Sequence, residues 1–155
     1  MRRSAGLLLH RTGADGVEVW IAHMGGPFWA RKEERAWSIP KGELEPGETD
    51  ELAVARREFA EEIGVPAPDA EAVPLGEFRG SASKIVAVFA VAAPDFAPLE
   101  VRSNTFELEW PPRSGRMQEF PEVDRAAWVP LPRARELLVA GQVAALDALE
   151  RLRSG

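Results

Sequence analysis

The segment that most constrains the fold runs from Thr49 to Val65, where an amphipathic helix is written together with its start and its stop. Leu52, Ala55, Phe59 and Ile63 recur at the helical period and predict one apolar stripe. Thr49 or Asp50 can cap the start, Asp50 and Glu51 place negative charge at the positive end of the helix dipole, and Gly64 with Pro66 stops it. A helix this short needs a surface on which to bury its stripe. The flanking sequence supplies strands. Residues 4–10 and 17–24 read as a pair joined across Thr12–Gly16, with Val17, Val19 and Ile21 alternating against Glu18, Trp20 and Ala22. Ala36–Ile39, 72–79, 84–93, the Phe106–Leu108–Trp110 alternation and Ala126–Val129 read as further strands. Pro132 opens a helical region reaching about Leu152, with Gly141 as its break. This order predicts a layered α/β or α+β architecture.

The chain has 155 residues, which predicts one domain spanning 1–155, since domains run to about 100–200 residues. No apolar run approaches the roughly 18 residues of a membrane span. Only Leu7–Leu9 follows the basic Arg2-Arg3, too short for a signal-peptide core of about 7–15 residues. The absence of cysteine excludes disulfides, thiolate metal sites and cysteine nucleophiles. A cytoplasmic protein with no membrane partner is the expectation. The net charge of −6 argues against a nucleic-acid polymer as partner. The acid is also gathered: residues 43–62 hold eight of the 25 carboxylates, where even spacing would put about three. Such crowding repels itself unless it is solvated or a cation joins it.

Glu58, Glu61 and Glu62 stand at i, i+3 and i+4, on one side of the helix and flanking its apolar stripe. Hard oxygen ligands so placed suit Mg²⁺ or Mn²⁺, which combine carboxylates with waters and substrate phosphates. The surrounding residues are Pro40-Lys41-Gly42-Glu43-Leu44-Glu45-Pro46-Gly47-Glu48, then Arg57-Glu58-Phe59-Ala60-Glu61-Glu62-Ile63-Gly64-Val65. This closely resembles the signature of the Nudix hydrolases: a glycine, a glutamate six positions on, then Arg-Glu-apolar-x-Glu-Glu-x-Gly-apolar. The second half matches at every fixed position. The first half departs from it, with eight residues between Glu48 and Arg57 instead of the family's seven. The extra residue falls near Thr49–Glu51 and leaves the helical glutamates in register. Glu51, seven residues before Glu58, is an alternative to Glu48.

The resemblance implies a three-layer α/β/α sandwich with a mixed sheet, and Mg²⁺-dependent cleavage of a pyrophosphate bond in a nucleoside diphosphate linked to another group. Carried over by motif position, Glu58, Glu61 and Glu62 are metal ligands, Gly42 offers its carbonyl, Glu48 assists and Arg57 holds the loop through a carboxylate such as Glu48. The family's general base often lies outside the signature; Glu119 is preferred here, with Glu122, Glu107 and Glu109 as alternatives. Lys41 is expected to meet a phosphate, and Arg31, Lys32, Lys84 and Arg113 are further phosphate candidates. Ile39-Pro40-Lys41-Gly42 is similar to the Leu-Pro-Lys-Gly of members acting on dinucleoside polyphosphates, diphosphoinositol polyphosphates or oxidised nucleotides. The expected substrate is therefore a dinucleoside polyphosphate or modified (d)NTP, with an ADP-ribose or nucleotide-sugar pyrophosphatase, or a non-catalytic nucleotide sensor, as alternatives.

The aromatic residues divide. Trp29 and Phe28 either stack a nucleobase or pin their Gly/Pro-flanked loop to the core. Trp37 and Trp128 are expected in the core, and Trp110 either there or in a pocket wall. His10 and His23 are not spaced as zinc ligands and read as structural or surface residues. The Pro111–Gly115 segment reads as a rigid turn, with a substrate-gating loop as the alternative. The C-terminal stripe of Leu137, Leu138, Val143, Leu146, Leu149 and Leu152 closes the sandwich or adds a dimer contact, so monomer and homodimer both stay open.

Overall fold

The computed structural model describes residues 2–80 and 83–155. Its centre is β1 (Arg2–Gly13), buried without a break from Ser4 to His10. Such a continuous run marks a strand covered on both faces. Leu7 and Leu9 point to one core and Leu8 to the other, as the two-residue side-chain period requires.

Along one edge β1 pairs in parallel with β6 (Lys84–Ala92), from Arg2↔Lys84 to His10↔Ala92. The other edge is divided. Leu9–Gly13 pair antiparallel with β2 (Gly16–Met24), while Ser4–Gly6 pair with β4 (Lys41–Glu43). Where β1 and β2 part, residues 37–43 enter the gap: β3 (Trp37–Ser38) pairs with β2, and β4 with β1. The Leu7 N–H donates to the Pro40 carbonyl at 3.1 Å, bridging the two short strands. β5 (Ala72–Arg79) extends the sheet beyond β6, and β9 (Val123–Pro130) pairs with β2. β7 (Thr105–Glu109) and β8 (Met117–Pro121) form a separate hairpin.

Helices cover both faces. On one, α1 (Glu51–Ile63) buries Val54, Ala55, Phe59 and Ile63 against Ala5, Leu7, Leu9, Trp20 and Val91. Phe59 is fully buried against the rings of Trp20 and Phe96, and its truncation to Ala should cost about 3–5 kcal/mol. On the other face, α2 (Leu131–Leu137) and α3 (Val143–Ser154) pack Ala134, Leu137, Leu146 and Leu149 against Leu8, Val19, Ile21 and Val88. The result is a three-layer α/β/α arrangement with a mixed sheet. No helix among the described residues is long and apolar enough to cross a membrane.

Two ends of α1 obey local chemistry. Asp50 is the N-cap, its Oδ1 accepting the Ala53 N–H at 3.1 Å. Gly64 ends the helix at φ 88°, and a side chain there would also press a Cβ to within 2.5 Å of the Arg102 carbonyl. Two strands lie outside the sequence expectation, β4 and β8. The C-terminal region breaks at Leu138–Val139 before Gly141, because the Val139 N–H donates to the Trp37 carbonyl at 2.9 Å and ties the chain to β3.

Candidate active site

α1 crosses the sheet over the gap that β4 fills, so β4 has to let the helix side chains approach. Gly42 does this. A Cβ built at Gly42 would lie 2.1 Å from both Cδ and Oε2 of Glu58, so the carboxylate rests on the glycine backbone in space that any other residue would occupy. One turn further on, half-buried Glu62 faces Lys41, whose charge and backbone N–H both favour its ionised form. Burial works harder in the opposite direction. It lifts the Glu62 carboxyl to about 7, with the like charges of Glu122 and Glu58 adding to the rise. Glu58 is raised as well, first by burial, then by the charge of Glu61, with Glu122 and Glu48 contributing and Arg57 opposing.

Arg57 ties the helix to the loop before it. Its Nη2 donates to Glu48 Oε1 and to Glu58 Oε1, each at 3.3 Å. Glu48 also accepts the Glu45 N–H at 2.8 Å. That backbone bond first, and the guanidinium next, hold its carboxyl below the ordinary range. Glu51 turns elsewhere and pairs with Arg3 on β1 at 2.6 Å. Glu61 is exposed.

A divalent cation fits this donor set. Oxygen donors crowd one helix edge at the cost of mutual repulsion, beside a glycine whose missing side chain leaves a carboxylate lying on the backbone. Among the described residues, no three acidic or imidazole side chains stand close enough together to hold a metal ion by themselves. An open edge of this kind suits Mg²⁺, which keeps several waters and takes the rest of its ligands from substrate phosphates.

The model of the family described as NUDIX domain matches residues 1–149. The chain belongs to the Nudix family. Solved structures share its fold. The Ap4A hydrolase of C. elegans, in a binary complex, superimposes with a TM-score of 0.67 at 21% identity, covering 100% of this chain and 99% of its own. The MutT protein of Methanosarcina mazei Go1 gives 0.64 at 17% identity, over 99% and 96%. The NUDIX domain of Shewanella oneidensis NrtR, complexed with ADP ribose, gives 0.60 at 14% identity, over 99% and 88%. No curated protein sequence matches the chain.

Around the Nudix helix the other expected residues are dispersed. Glu119 sits on β8 opposite Glu107 and accepts the Thr105 hydroxyl at 2.7 Å. Glu109 spends its carboxylate on the N–H groups of Arg113 and Gly115, holding the 110–116 turn. Glu122 is placed differently, at the base of the hairpin between β8 and β9. Its N–H donates to Asn104 and its carbonyl accepts from Gly25, both at 2.9 Å, while its charge bears on Glu58 and Glu62.

The loop after β2 carries Phe28, Trp29, Arg31 and Lys32. Trp29 packs against the α2–α3 core, with the Lys32 Nζ 5.4 Å from its ring centroid, and Arg31 is exposed. Phe28, 60% exposed, meets the edge of Trp110 at 5.7 Å between centroids. Lys84 opens β6 beside Arg2, three strand positions from Ala87, which lies in the row Ala87–Ala5–Gly42 across the sheet. Trp37 is buried and Trp128 half-buried.

Proposed function

We propose that this Nudix chain is a Mg²⁺-dependent pyrophosphohydrolase, cleaving a diphosphate bond in a nucleoside diphosphate linked to another group. A dinucleoside polyphosphate or modified (d)NTP is the substrate class we assign. The observation that carries this reading is the Glu58 carboxylate seated on Gly42 beside Glu62 and Lys41. Nudix enzymes generally use divalent metals, and Glu58, Glu61, Glu62 and the Gly42 carbonyl are the groups that would hold Mg²⁺, or Mn²⁺ in its place. When bound, such an ion neutralises charge on the diphosphate and acidifies an attacking water.

This chain's residues do the remainder. Lys41, held by β4 beside Glu62, offers its ammonium to a phosphate oxygen. Arg57 orients Glu58 through one hydrogen bond and keeps Glu48 against the helix through the other. Glu122, whose charge is felt at both helix glutamates, is the group we assign to take the proton of the attacking water, in place of Glu119. Phosphorylated products follow.

The test is release of phosphate or nucleotide from a panel of dinucleoside polyphosphates, oxidised and ordinary (d)NTPs, ADP-ribose and UDP-sugars, with Mg²⁺ and then with EDTA. Chelator-sensitive turnover that falls by orders of magnitude in Glu62→Gln is expected. A second reading is favoured by one neighbour, the NrtR NUDIX domain solved with ADP ribose. It predicts either turnover of ADP-ribose or nucleotide-sugar substrates, or saturable nucleotide binding with no turnover.

A further inference from the structure

His23 is fully buried, near the end of β2, and each of its ring nitrogens lies against an oxygen. Nδ1 is 2.8 Å from Asp124 Oδ1, and Nε2 is 2.7 Å from the backbone carbonyl of Lys32. A carbonyl can only accept, and an ionised carboxylate can only accept. The neutral imidazole carries one N–H, so either tautomer would leave a bare ring nitrogen facing an oxygen with no proton between them. With Asp124 ionised, both contacts are satisfied together only when both nitrogens carry hydrogen.

The surroundings supply the balancing charge. Asp124 is one-third exposed and pairs directly with the ring. From β9 the Arg125 guanidinium, 3.9 Å from Asp124, lies over Trp37 and is itself paired with Glu33 of the loop. Trp37 of β3 closes the remaining side with its ring edge-on to His23, the centroids 5.3 Å apart. Two carboxylates therefore face the ring, against one guanidinium already engaged with them.

The two partners of His23 lie on separate elements. Lys32 lies in the 25–36 loop, and Asp124 follows Glu122 by two residues. The same loop and strand are also joined by the Gly25 N–H donating to the Glu122 carbonyl. We propose that His23, held as an imidazolium between Asp124 and the Lys32 carbonyl, is a positioning residue that latches the 25–36 loop to the Glu122 segment. Loss of either contact frees one side of the latch and loosens substrate binding while the helix glutamates stay in place. This effect on substrate rests on the hydrolase reading above; the state of the ring does not.

The ring is read first, by ¹⁵N NMR of the full chain near neutral pH. His10 is an internal contrast, because its Nδ1 faces Arg153 Nη1 at 2.7 Å and a guanidinium only donates, so that nitrogen must be bare. The expected spectrum has His23 with two protonated nitrogens and His10 with one; a pyridine-type nitrogen on His23 overturns the proposal. The latch is read next in Asp124→Asn, which keeps an acceptor but removes the charge. With substrate, KM should be about tenfold higher in Asp124→Asn than in wild type near neutral pH, with kcat nearly unchanged. An unchanged KM in the variant overturns the coupling. Amide exchange at Gly25 and Trp29 needs no turnover and should be severalfold faster in Asp124→Asn near pH 8. Equal exchange overturns the latch, whereas an absence of hydrolysis with faster exchange counts only against the hydrolase reading.

Discussion

The Glu58 carboxylate occupies the space a side chain at Gly42 would need, its Oε2 2.1 Å from where a Cβ would stand. The clash is with the flexible end of a glutamate, and the backbone of β4 stays paired to β1 through Ala5↔Gly42. Gly42→Ala should therefore spare the fold and misplace one carboxylate. A melting temperature within a few degrees of wild type is expected, together with a loss of about 100-fold in kcat/KM, since displacements near 1 Å can cost that much. Near-normal turnover in the variant would mean that Glu58 has no part in the chemistry.

Glu62 makes a prediction about the metal-free protein. Its carboxyl is raised from 4.5 to about 7, mainly by burial. Between those values the folded chain binds more protons than the unfolded one, so stability contributed by this group falls as pH rises through the window. Glu62→Gln removes the penalty. With EDTA present near pH 8 the variant should be more stable than wild type, by about 1–3 kcal/mol, and near pH 4 the two should match. Mg²⁺ should stabilise wild type and not the variant. Urea titrations at both pH values, with and without Mg²⁺, decide it, and equal midpoints throughout would show that Glu62 is solvated.

What could be read from the chain depended on how much of each feature was local. α1 was legible because period, cap and stop agree over one short stretch, though Val54 is buried where Leu52 was expected. Lys41-Gly42-Glu43 has no alternation at all and becomes β4 only because β1 offers it an edge. Met117–Pro121 likewise becomes β8 only by pairing with β7, and its side chains are largely exposed, so no pattern marks it. The spacing of Glu58, Glu61 and Glu62 was sufficient to group them on a helix edge. Spacing alone put Glu119 ahead of Glu122, whereas in the fold Glu119 is engaged with the Thr105 hydroxyl and it is the charge of Glu122 that bears on Glu58 and Glu62. His23 gave no sign, because its two acceptors come from Lys32 and from Asp124, 101 residues away.

Those two carboxylates separate cleanly by mutation. If Glu122 takes the proton from water, Glu122→Gln should lower kcat by about 100-fold or more with little change in KM. Glu119→Gln should leave kcat within about twofold, since that side chain is engaged with the Thr105 hydroxyl. The loss in Glu122→Gln should shrink at high pH, where hydroxide competes with the missing base. Steady-state kinetics of both variants between about pH 6 and pH 10 provide the check. The reverse ranking would return the role to the hairpin.

The last prediction concerns acid. His10 is buried at the edge of the α2–α3 face, and its Nδ1 accepts a hydrogen bond from Arg153, which also binds the Thr12 hydroxyl. Burial first, and the charge of Arg153 second, lower its pKa from 6.5 to about 4. The folded chain therefore binds fewer protons than the unfolded one between these values, and stability falls as pH drops through that window. The loss is complete below about 4 and amounts to at most about 3 kcal/mol. His10→Gln keeps an acceptor for Arg153 and has nothing to protonate. Subtracting its stability–pH curve from that of wild type removes the carboxylates common to both, and the difference should appear between pH 6.5 and about 4 alone. Parallel curves would mean that protonated His10 is tolerated and that the end of α3 is not held to β1 through this nitrogen.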